Sequence, residues 1–374
     1  MKHLHIICFT VPYPPDYGGV IDLFWKLPAL QKAGVQIHLH CFEYGRGEQK
    51  ELNQYCASVH YYKRNTGLTG ISISLPYIVA SRKNETLLNN LLKDDYPILM
   101  EGVHSSYLLN DDRFIHRKKI VRLHNVEHKY YYHLFQTTTL LAKKVYYYAE
   151  SLLLKKYEQK ILGKADELWT VTNKDKDFFI NQYNHQQTTF LPLFLPNDWQ
   201  FSAVEGKGDY VLYQADLSVD TNEKVAIWIV ENVFRQFNIS LIIAGKNPST
   251  YLQKCISGSN NVQLIANPSE EKMKQLIKDA HINLLPSFSN TGIKLKLLNA
   301  LYNGKFCVVN NNTIEGTGLD NLCYIANDAV TMQQTITKLF QQPFESSEVV
   351  KRKQILETMF NNNHNAMQVV EWAF

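Results

Sequence analysis

The hydrophobic positions of the chain follow two patterns, short apolar runs rich in β-branched and aromatic residues and longer stretches with helical spacing. The first half contains six short runs, at residues 4–10, 36–42, 58–63, 97–102, 119–125 and 167–172. Several are apolar on both faces, which is typical of parallel strands covered on two sides. An amphipathic stretch that ends at Gly34 separates the first two runs, so the pattern predicts a strand–helix–strand unit.

The alternation is interrupted once, at residues 191–210, where two prolines and two glycines occur with little periodicity. It then restarts, with strand-like runs at residues 210–215, 240–245, 262–266, 282–286 and 306–310. We therefore predict an α/β protein with two Rossmann-like βαβ domains that face each other across a cleft. Ligands of such sheets bind beyond the carboxyl ends of the strands, so the chemistry is expected there.

The predicted domain boundaries follow from this break. The first domain covers residues 1–196, a linker covers 197–208, and the second domain covers 209–350. Residues 351–374 are predicted as a C-terminal helix that crosses back to the first domain, with Trp372 and Phe374 as buried contacts.

Composition excludes several classes of protein. The 374 residues carry a net charge of only +4, too small an excess to indicate nucleic-acid binding by itself. The six cysteines are dispersed and form no CxxC pair, which favours a reduced, cytoplasmic protein. No apolar run is long enough to span a membrane. HExxH, GxSxG and a GxGxxG after the first strand are all missing, which weighs against zinc peptidases, the commonest hydrolases and dinucleotide dehydrogenases.

The clearest candidate for chemistry is the stretch SNTGIKLKLLNALYNGKFCVVNN, residues 289–311. A strand that ends near Pro286 leads through Gly292 into a helix whose start carries Lys294 and Lys296. Lysines are mildly unfavourable at a helix N-terminus unless an anion binds there. The pattern therefore favours an anion site over an ordinary solvated helix start.

The same residues resemble the donor-binding segment of retaining GT-B glycosyltransferases (group 1, family 4-like). The matching positions are Gly292, Lys294, Lys296, Ala300, Gly304, Lys305, Val308, Glu315, Gly316 and Leu319. The resemblance implies the GT-B fold and a segment that holds the diphosphate and ribose of a nucleotide sugar. The donor-binding residues it implies here are Thr291, Gly292, Ile293, Lys294, Leu295, Lys296 and Asn299.

Two further stretches extend the resemblance into the first domain. PYPPDYGGVIDLFW is similar to the first strand–loop–helix unit of the family, which implies that Gly18 and Gly19 lie beneath the donor. RLHNVEH is similar to a motif at a strand end near the reacting sugar, which implies His124 and Glu127 as catalytic residues. Glu101 and His104, after another strand, are additional cleft candidates. The alternatives are a histidine satisfied by local hydrogen bonds and a glutamate that only caps the next helix.

The chain also departs from the family pattern. Thr291 and Asn299 occupy the positions of the usual glutamate pair, and the phosphate-gripping arginine is replaced within Ala215–Leu217. Lys246 is a candidate substitute for that arginine. Three explanations stay open: a subfamily with relocated phosphate ligands, a different donor, or a degenerate partner subunit.

These observations predict a retaining, nucleotide-sugar-dependent hexosyltransferase of polysaccharide or glycoconjugate biosynthesis. Its expected partners are a nucleotide-sugar donor and a glycan or lipid-linked acceptor, without nucleic acid, metal or other cofactor. The alternative is a non-catalytic glycosyltransferase-like subunit that binds a glycan or a protein; a sugar-nucleotide epimerase is a weaker one. The stretches at residues 113–125 and 142–160, which mix lysine and arginine with aromatic residues, fit either a peripheral contact with the inner membrane face or solvated helix faces.

Overall fold

The computed structural model describes residues 1–16 and 18–374, and the chain divides into two compact units. Unit 1 comprises Met1–Asn197 together with Phe360–Phe374, and unit 2 comprises Asp198–Met359. Each unit contains one sheet, and neighbouring strands within both sheets pair in parallel. The prediction of two parallel α/β domains is therefore confirmed.

The seven-stranded sheet of unit 1 has the order β3-β2-β1-β4-β5-β6-β7. Its strands are β1 (Lys2–Cys8), β2 (Val35–Glu43), β3 (Ser58–Lys63), β4 (Ile98–Glu101), β5 (Lys119–Leu123), β6 (Glu167–Thr170) and β7 (Thr188–Phe190). The helices of residues 1–197 are α1 (Gly18–Lys32), α2 (Tyr77–Ala80), α3 (Glu85–Leu91), α4 (Glu127–Thr137), α5 (Leu141–Ile161) and α6 (Asn173–Tyr183). The six apolar runs of the first half are all strands, and only the three-residue β7 was not predicted.

The six-stranded sheet of unit 2 has the order β10-β9-β8-β11-β12-β13. Its strands are β8 (Val211–Asp216), β9 (Leu241–Lys246), β10 (Val262–Ala266), β11 (Ile282–Leu284), β12 (Phe306–Val309) and β13 (Tyr324–Ile325). The remaining helices are α7 (Asp220–Trp228), continued by a π-helix (Ile229–Phe234), α8 (Thr250–Ser257), α9 (Glu270–Asp279), α10 (Leu295–Asn303), α11 (Asn311–Ile314), α12 (Ala329–Phe340), α13 (Ser346–Met359) and α14 (Asn362–Ala373). Among the described residues, no helix is both long and apolar enough to cross a membrane.

The segment predicted as a linker is tied to unit 2. Ser202 and Ala203 donate backbone hydrogen bonds to the Tyr302 carbonyl, and Gly206 pairs with Phe344 in an isolated antiparallel bridge. These irregular pairings leave no periodic side-chain pattern for sequence reasoning to detect.

The C-terminal residues 351–374, predicted as one helix, belong to α13 in unit 2 and α14 in unit 1. Helix α14 packs on α1, and its residues Ala366 and Val369 complete the core on that face of the sheet. Trp372, predicted to be buried, is half-buried, and its ring contacts that of Trp169 with centroids 5.7 Å apart. The expectation for Phe374 was wrong, because its side chain is 45% exposed and lies beneath the Lys2 ammonium.

A buried network of charges joins α1 to the sheet of unit 1. Asp22 and Lys26 lie one turn apart on the buried face of α1, and Arg122 lies in β5. The Arg122 guanidinium donates to both Asp22 carboxylate oxygens, at 2.8 and 3.0 Å, and to the Leu191 and Pro192 carbonyls. Lys26 contacts Asp22 and the Glu101 carboxylate.

Within this network, each charged side chain contacts one of opposite sign. Burial alone would raise the pKa of Asp22, but Arg122 and Lys26 outweigh it and hold that pKa well below its usual value. Burial likewise opposes ionisation of Glu101, yet Lys26 and His124 lower its pKa. Each buried charge therefore depends on a partner of opposite sign for its solvation.

A second polar feature is a cluster of five histidines on one face of β1, β2 and β3. The histidine cluster comprises His3, His5, His38, His40 and His60. His5 Nδ1 lies 2.9 Å from His40 Nε2, and the rings of His40 and His60 stack with centroids 5.1 Å apart. The opposite face of these strands carries Leu4, Ile6 and other apolar side chains that pack in the core.

Burial, and after it the charges of His5 and His60, hold the pKa of His40 well below its ordinary value. Burial also lowers the pKa of His5, although the Asp94 carboxylate 2.9 Å from its Nε2 acts in the opposite sense and Arg117 adds positive charge nearby. Burial and neighbouring positive groups lower the pKa of His38 and of His60, the latter beside Lys93. The folded sheet therefore favours neutral rings.

The histidine cluster makes unit 1 sensitive to acid. Because the folded pKa of His40 lies below the unfolded value of 6.5, the unfolded chain binds more protons below that pH. We expect the free energy of local opening of β1–β3, measured by hydrogen–deuterium exchange, to fall between about pH 7 and about pH 5.5. His40→Gln should recover about 1 kcal/mol of that loss. The exposed His116→Gln should leave the pH dependence unchanged; an equal effect of both variants would contradict the explanation.

Removal of one member of the buried charge network should be costly. Asp22→Ala leaves Arg122 and Lys26 buried without their carboxylate, so we expect it to lower the free energy of unfolding by about 3–5 kcal/mol. Asp16→Ala, which removes a carboxylate that is 56% exposed and paired with Arg46, should cost at most about 1 kcal/mol. Urea denaturation of both variants gives the comparison, and a similar small cost for Asp22→Ala would refute the proposed role of the network.

Candidate functional site

The anion site predicted in unit 2 lies at the carboxyl edge of the sheet, after β11. The connecting loop is anchored by Asn310 at the end of β12, whose side-chain oxygen accepts from the Ser287 amide at 2.9 Å and whose amide donates to the Ser287 carbonyl at 2.8 Å. Gly292 follows with a φ of +59°, a conformation that suits glycine and lets the backbone turn sharply into α10. The loop is therefore held firmly at its base and turned by a glycine at its tip.

The two lysines lie at the very start of α10. Lys294 is the N-cap residue, and its ammonium contacts the Thr291 carbonyl. Lys296 belongs to the first turn, where its ammonium lies 5.0 Å from the centre of the Tyr213 ring and 3.5 Å from Asn222 Oδ1. Burial, and after it the charge of Lys294, lower the pKa of Lys296 to about 8. A bound anion would relieve both effects.

The other predicted donor residues of unit 2 surround this helix start. Thr291 lies in the loop, with its hydroxyl 2.9 Å from that of Ser289, and Ile293 and Leu295 flank Lys294. Asn299 lies one turn into α10, where its side-chain oxygen accepts from Asn303 at 2.8 Å. That oxygen retains one further lone pair for a ligand hydroxyl.

The remaining predicted donor residues belong to other elements. They are Lys246 in unit 2 and Gly18 and Gly19 in unit 1. Lys246 ends β9 at the same carboxyl edge, is exposed, and pairs in register with Asp216 of β8. Gly18 and Gly19 are the first residues of α1 in unit 1. Their role toward a donor stays a prediction.

In unit 1, three of the predicted residues meet at the carboxyl ends of β1, β4 and β5. His124 Nε2 lies 3.1 Å from Glu101 Oε2, and the His124 side chain keeps 16% of its surface exposed. The Phe9 ring, just after β1, contacts both His104 and His124, with centroids 5.0 and 6.0 Å apart. The structure therefore gathers Glu101, His104 and His124 into one place.

Hydrogen bonding assigns different properties to the two histidines. Because Glu101 is ionised and can only accept, His124 donates from Nε2, and a neutral ring then offers Nδ1 as an acceptor. Burial, and after it Arg82 and His124, hold the pKa of His104 well below its ordinary value. His104 Nδ1 is buried without a hydrogen-bond partner among the described residues.

Glu127 does not join this group. It is the first residue of α4 and only 4% exposed, with Asn125 Nδ2 at 3.4 Å from its carboxylate. Burial and the neighbouring Glu158 raise its pKa to about 8. Its catalytic role stays a prediction, and the carboxyl is enclosed rather than presented at the strand ends.

A cation could be considered at one place in the described part of the chain. Ligand atoms of Asp22, Glu101 and His124 lie within 4.8 Å of one another. However, Arg122 and Lys26 already supply positive charge there, and Asp22 Oδ1 also accepts from the Phe194 amide at 2.8 Å. We therefore interpret the group as part of the buried charge network.

Several residues that shape these sites were not predicted. They are Asp22, Lys26 and Arg122 in unit 1 and Tyr213, Asn222 and Asn310 in unit 2. The first three had a visible signal, since two charges spaced i,i+4 interrupt the apolar face of α1 and an arginine interrupts an apolar strand. The contacts of Lys296 with Tyr213 and Asn222 join positions more than 70 residues apart, which periodicity cannot relate.

The chain resembles known proteins in sequence. Residues 209–342 match the family described as Glycosyl transferases group 1. The chain is 27% identical over 357 residues, 90% of each sequence, to a 44.6 kDa protein in the cps region of Klebsiella pneumoniae that is itself described as uncharacterized.

Solved structures resemble the chain over its whole length. Sucrose-phosphate synthase of Thermosynechococcus elongatus superposes with a TM-score of 0.71 at 15% identity, covering 100% of this chain and 98% of that one. HepE of Anabaena, solved in complex with UDP, gives a TM-score of 0.65 at 12% identity, covering 100% and 99%. The fold is thus that of the GT-B glycosyltransferases, and unit 2 matches the group 1 glycosyl transferase family across residues 209–342.

Proposed function

We propose that this protein is a retaining glycosyltransferase that moves a hexose from a nucleotide-sugar donor to a glycan or lipid-linked acceptor in polysaccharide or glycoconjugate biosynthesis. The observation that carries the proposal is the start of α10 in the family-matched unit. There a glycine turn, a helix N-terminus and two lysines converge, and the pKa of Lys296 is lowered to about 8. Such an arrangement suits a diphosphate.

The diphosphate is the leaving group in this proposal. When the bond between the anomeric carbon and the diphosphate oxygen breaks, the electron pair stays on that oxygen, and negative charge grows on the leaving group. The α10 amides and the ammonium groups of Lys294 and Lys296 stabilise this charge. The acceptor hydroxyl attacks the same face of the sugar and passes its proton to the departing oxygen, so the configuration is retained. A metal ion has no role in this proposal.

In unit 1, we propose that His104 and His124 contact the reacting sugar or the acceptor. Glu101 fixes the orientation of His124 by accepting from Nε2, and Glu101 is in turn held by Lys26. Nδ1 of the neutral His124 ring is then an acceptor for a sugar hydroxyl. His124 is the catalytic-site residue with the best support, because it is oriented by a buried carboxylate and partly exposed. We retain Glu127 as a candidate of lower rank because it is enclosed.

The comparisons support the choice of substrate class. A relative from a cps region favours polysaccharide assembly, and a structural neighbour solved with UDP favours a uridine nucleotide as the first donor to test. Membrane association on the cytoplasmic face is proposed together with the lipid-linked acceptor.

A non-catalytic subunit that binds a glycan or a protein is the second candidate. It is favoured by Thr291 and Asn299, whose side chains lack the charge of the family's glutamates and already contact Ser289 and Asn303. Thermal shift with UDP, GDP, ADP, CMP and dTDP, with and without Mg²⁺, separates the two. A rise with one nucleotide supports the transferase and identifies its base, whereas no rise with any supports the subunit. Retention is then tested by the anomeric configuration of the product.

The lysines should account for most of the nucleotide affinity. Lys294→Ala combined with Lys296→Ala removes two charge-assisted contacts, so we expect binding of the identified nucleotide to weaken about 100-fold or more in calorimetry. The thermal midpoint of the unliganded protein should stay nearly unchanged, because the folded protein disfavours the charge of Lys296. The matched control is Lys272→Ala with Lys274→Ala on the exposed face of α9. Unchanged affinity in the first variant would exclude this site.

Binding should also take up protons. With a pKa of about 8, Lys296 is about half charged at pH 8, and a bound diphosphate would charge it fully. We expect uptake of about half a proton per nucleotide at pH 8, measured by calorimetry in buffers of different ionisation enthalpy. Lys296→Arg keeps its charge throughout and should abolish the uptake while preserving binding. The same uptake in that variant would show that another group is responsible.

A further inference from the structure

An unusual feature of unit 1 is that α5 is apolar on its solvent side as well as on its buried side. Leu154 and Tyr157 pack inward in the core. On the solvent side, Leu141, Val145, Tyr148 and Leu152 form a stripe at spacings of four, three and four residues. Leu141 is 76% exposed and Val145 65%. Tyr148 also contacts the Phe135 ring of α4, with centroids 5.1 Å apart, but the exposed surface of the stripe is large enough to indicate that something covers it.

A neighbouring loop adds to the same surface. Residues 67–75 present Leu68, Ile71 and Ile73, of which Leu68 is 87% and Ile73 97% exposed. The loop leads into α2, whose first amides, those of Tyr77 and Ile78, donate to the buried Glu150 carboxylate of α5 at 2.9 and 3.0 Å. These hydrogen bonds fix the loop beside the helix.

Between the loop and α5 lies an apolar groove of about 620 Å³. It is lined chiefly by Leu68, Ile71, Tyr77, Tyr146, Ala149 and Leu153. The groove and the stripe are contiguous because Tyr146, Ala149 and Leu153 lie on the flank of α5 next to the stripe. We call the stripe, loop and groove together the α5 surface.

Within the two segments that form the α5 surface, the exposed charges have one sign, although the exposed Asp177 of α6 lines a separate pocket together with Lys155. Residues 63–84 and 128–164, all of which the structure describes, contain only two carboxylates, Glu150 and Glu158, and both are buried. Glu158 is engaged by the Glu127 amide and by His128. Lys144, Lys155 and Lys156 flank the stripe, the last two fully on the surface. The formal charge that α5 exposes to solvent is therefore entirely positive.

We propose that the α5 surface docks on a lipid bilayer that contains anionic lipids. Exposed leucine, isoleucine and valine side chains enter the interfacial region, tyrosines lie at the headgroup level, and the flanking lysines meet the headgroup charges. Positive charge around an apolar stripe fits an anionic bilayer and opposes association with a second copy, whose identical lysines would face it. The proposal concerns unit 1 alone and does not depend on sugar transfer.

The test is flotation of the full-length protein with phosphatidylcholine vesicles that do or do not contain phosphatidylglycerol. We expect binding to the anionic vesicles, weakened by added salt. Lys144→Gln with Lys155→Gln and Lys156→Gln should weaken that binding on the order of a hundredfold, about fivefold per lysine. Lys272→Gln with Lys274→Gln and Lys278→Gln, which removes the same charge from α9, should have no such effect.

The apolar part is tested separately. Leu141→Gln, Val145→Gln and Leu152→Gln together keep good helix formers at exposed positions, so the circular dichroism and thermal midpoint should be unchanged while vesicle binding is lost. Equal binding to neutral and anionic vesicles, or equal loss in the α9 control, would overturn the proposal. The proposal would also be overturned if the protein bound no vesicles and instead sedimented as a dimer that the apolar variant dissociates.

Discussion

The positions of the side chains at the strand ends of unit 1 depend on one constraint. Every buried charge there is paired with a charge of opposite sign. Asp22, Lys26, Arg122 and Glu101 could not be enclosed singly, because each would lose its hydration without compensation. Together they join α1, β4, β5 and the chain after β7, and the last carboxylate in the series orients His124. The position of a candidate catalytic side chain is thus fixed by electrostatics inside the core, two residues beyond the buried arginine.

Unit 2 shows the opposite electrostatic design at its strand ends. Lys296 faces an amide oxygen and an aromatic ring, both weaker partners for an ammonium than a carboxylate. The lowered pKa of Lys296 reflects the burial of its ammonium among such weak partners. The buried charges at the strand ends of unit 1 are satisfied within the fold, which suits a rigid support. The ammonium of Lys296 has only these weak partners, which suits a site for an anionic ligand.

Sequence reasoning identified what depends on local pattern. Apolar runs located the strands of both sheets except the short β7 and β13, and a glycine followed by two lysines located the start of α10 to within one residue. It did not identify Asn222 and Tyr213 as partners of Lys296, or the anchoring of the Ser287 loop by Asn310, since these contacts join distant parts of the chain. It named both His124 and Glu127 as catalytic candidates, whereas the His124 side chain is partly exposed and Glu127 is enclosed. Spacing along a chain does not reveal which side of a helix start faces the core.

The return of α14 to unit 1 has a consequence for biosynthesis. Residues 360–374 supply Ala366, Val369 and Val370 to the core formed by α1 and the first strands, so unit 2 is inserted within the sequence of unit 1. On the ribosome, α1 emerges early, and the part of its apolar face that packs on α14 stays uncovered until residues 360–374 are released. Unit 2 can fold as a continuous segment during translation, whereas unit 1, although synthesised first, is completed last. Loss of residues 360–374 would leave unit 2 complete and unit 1 with an open core.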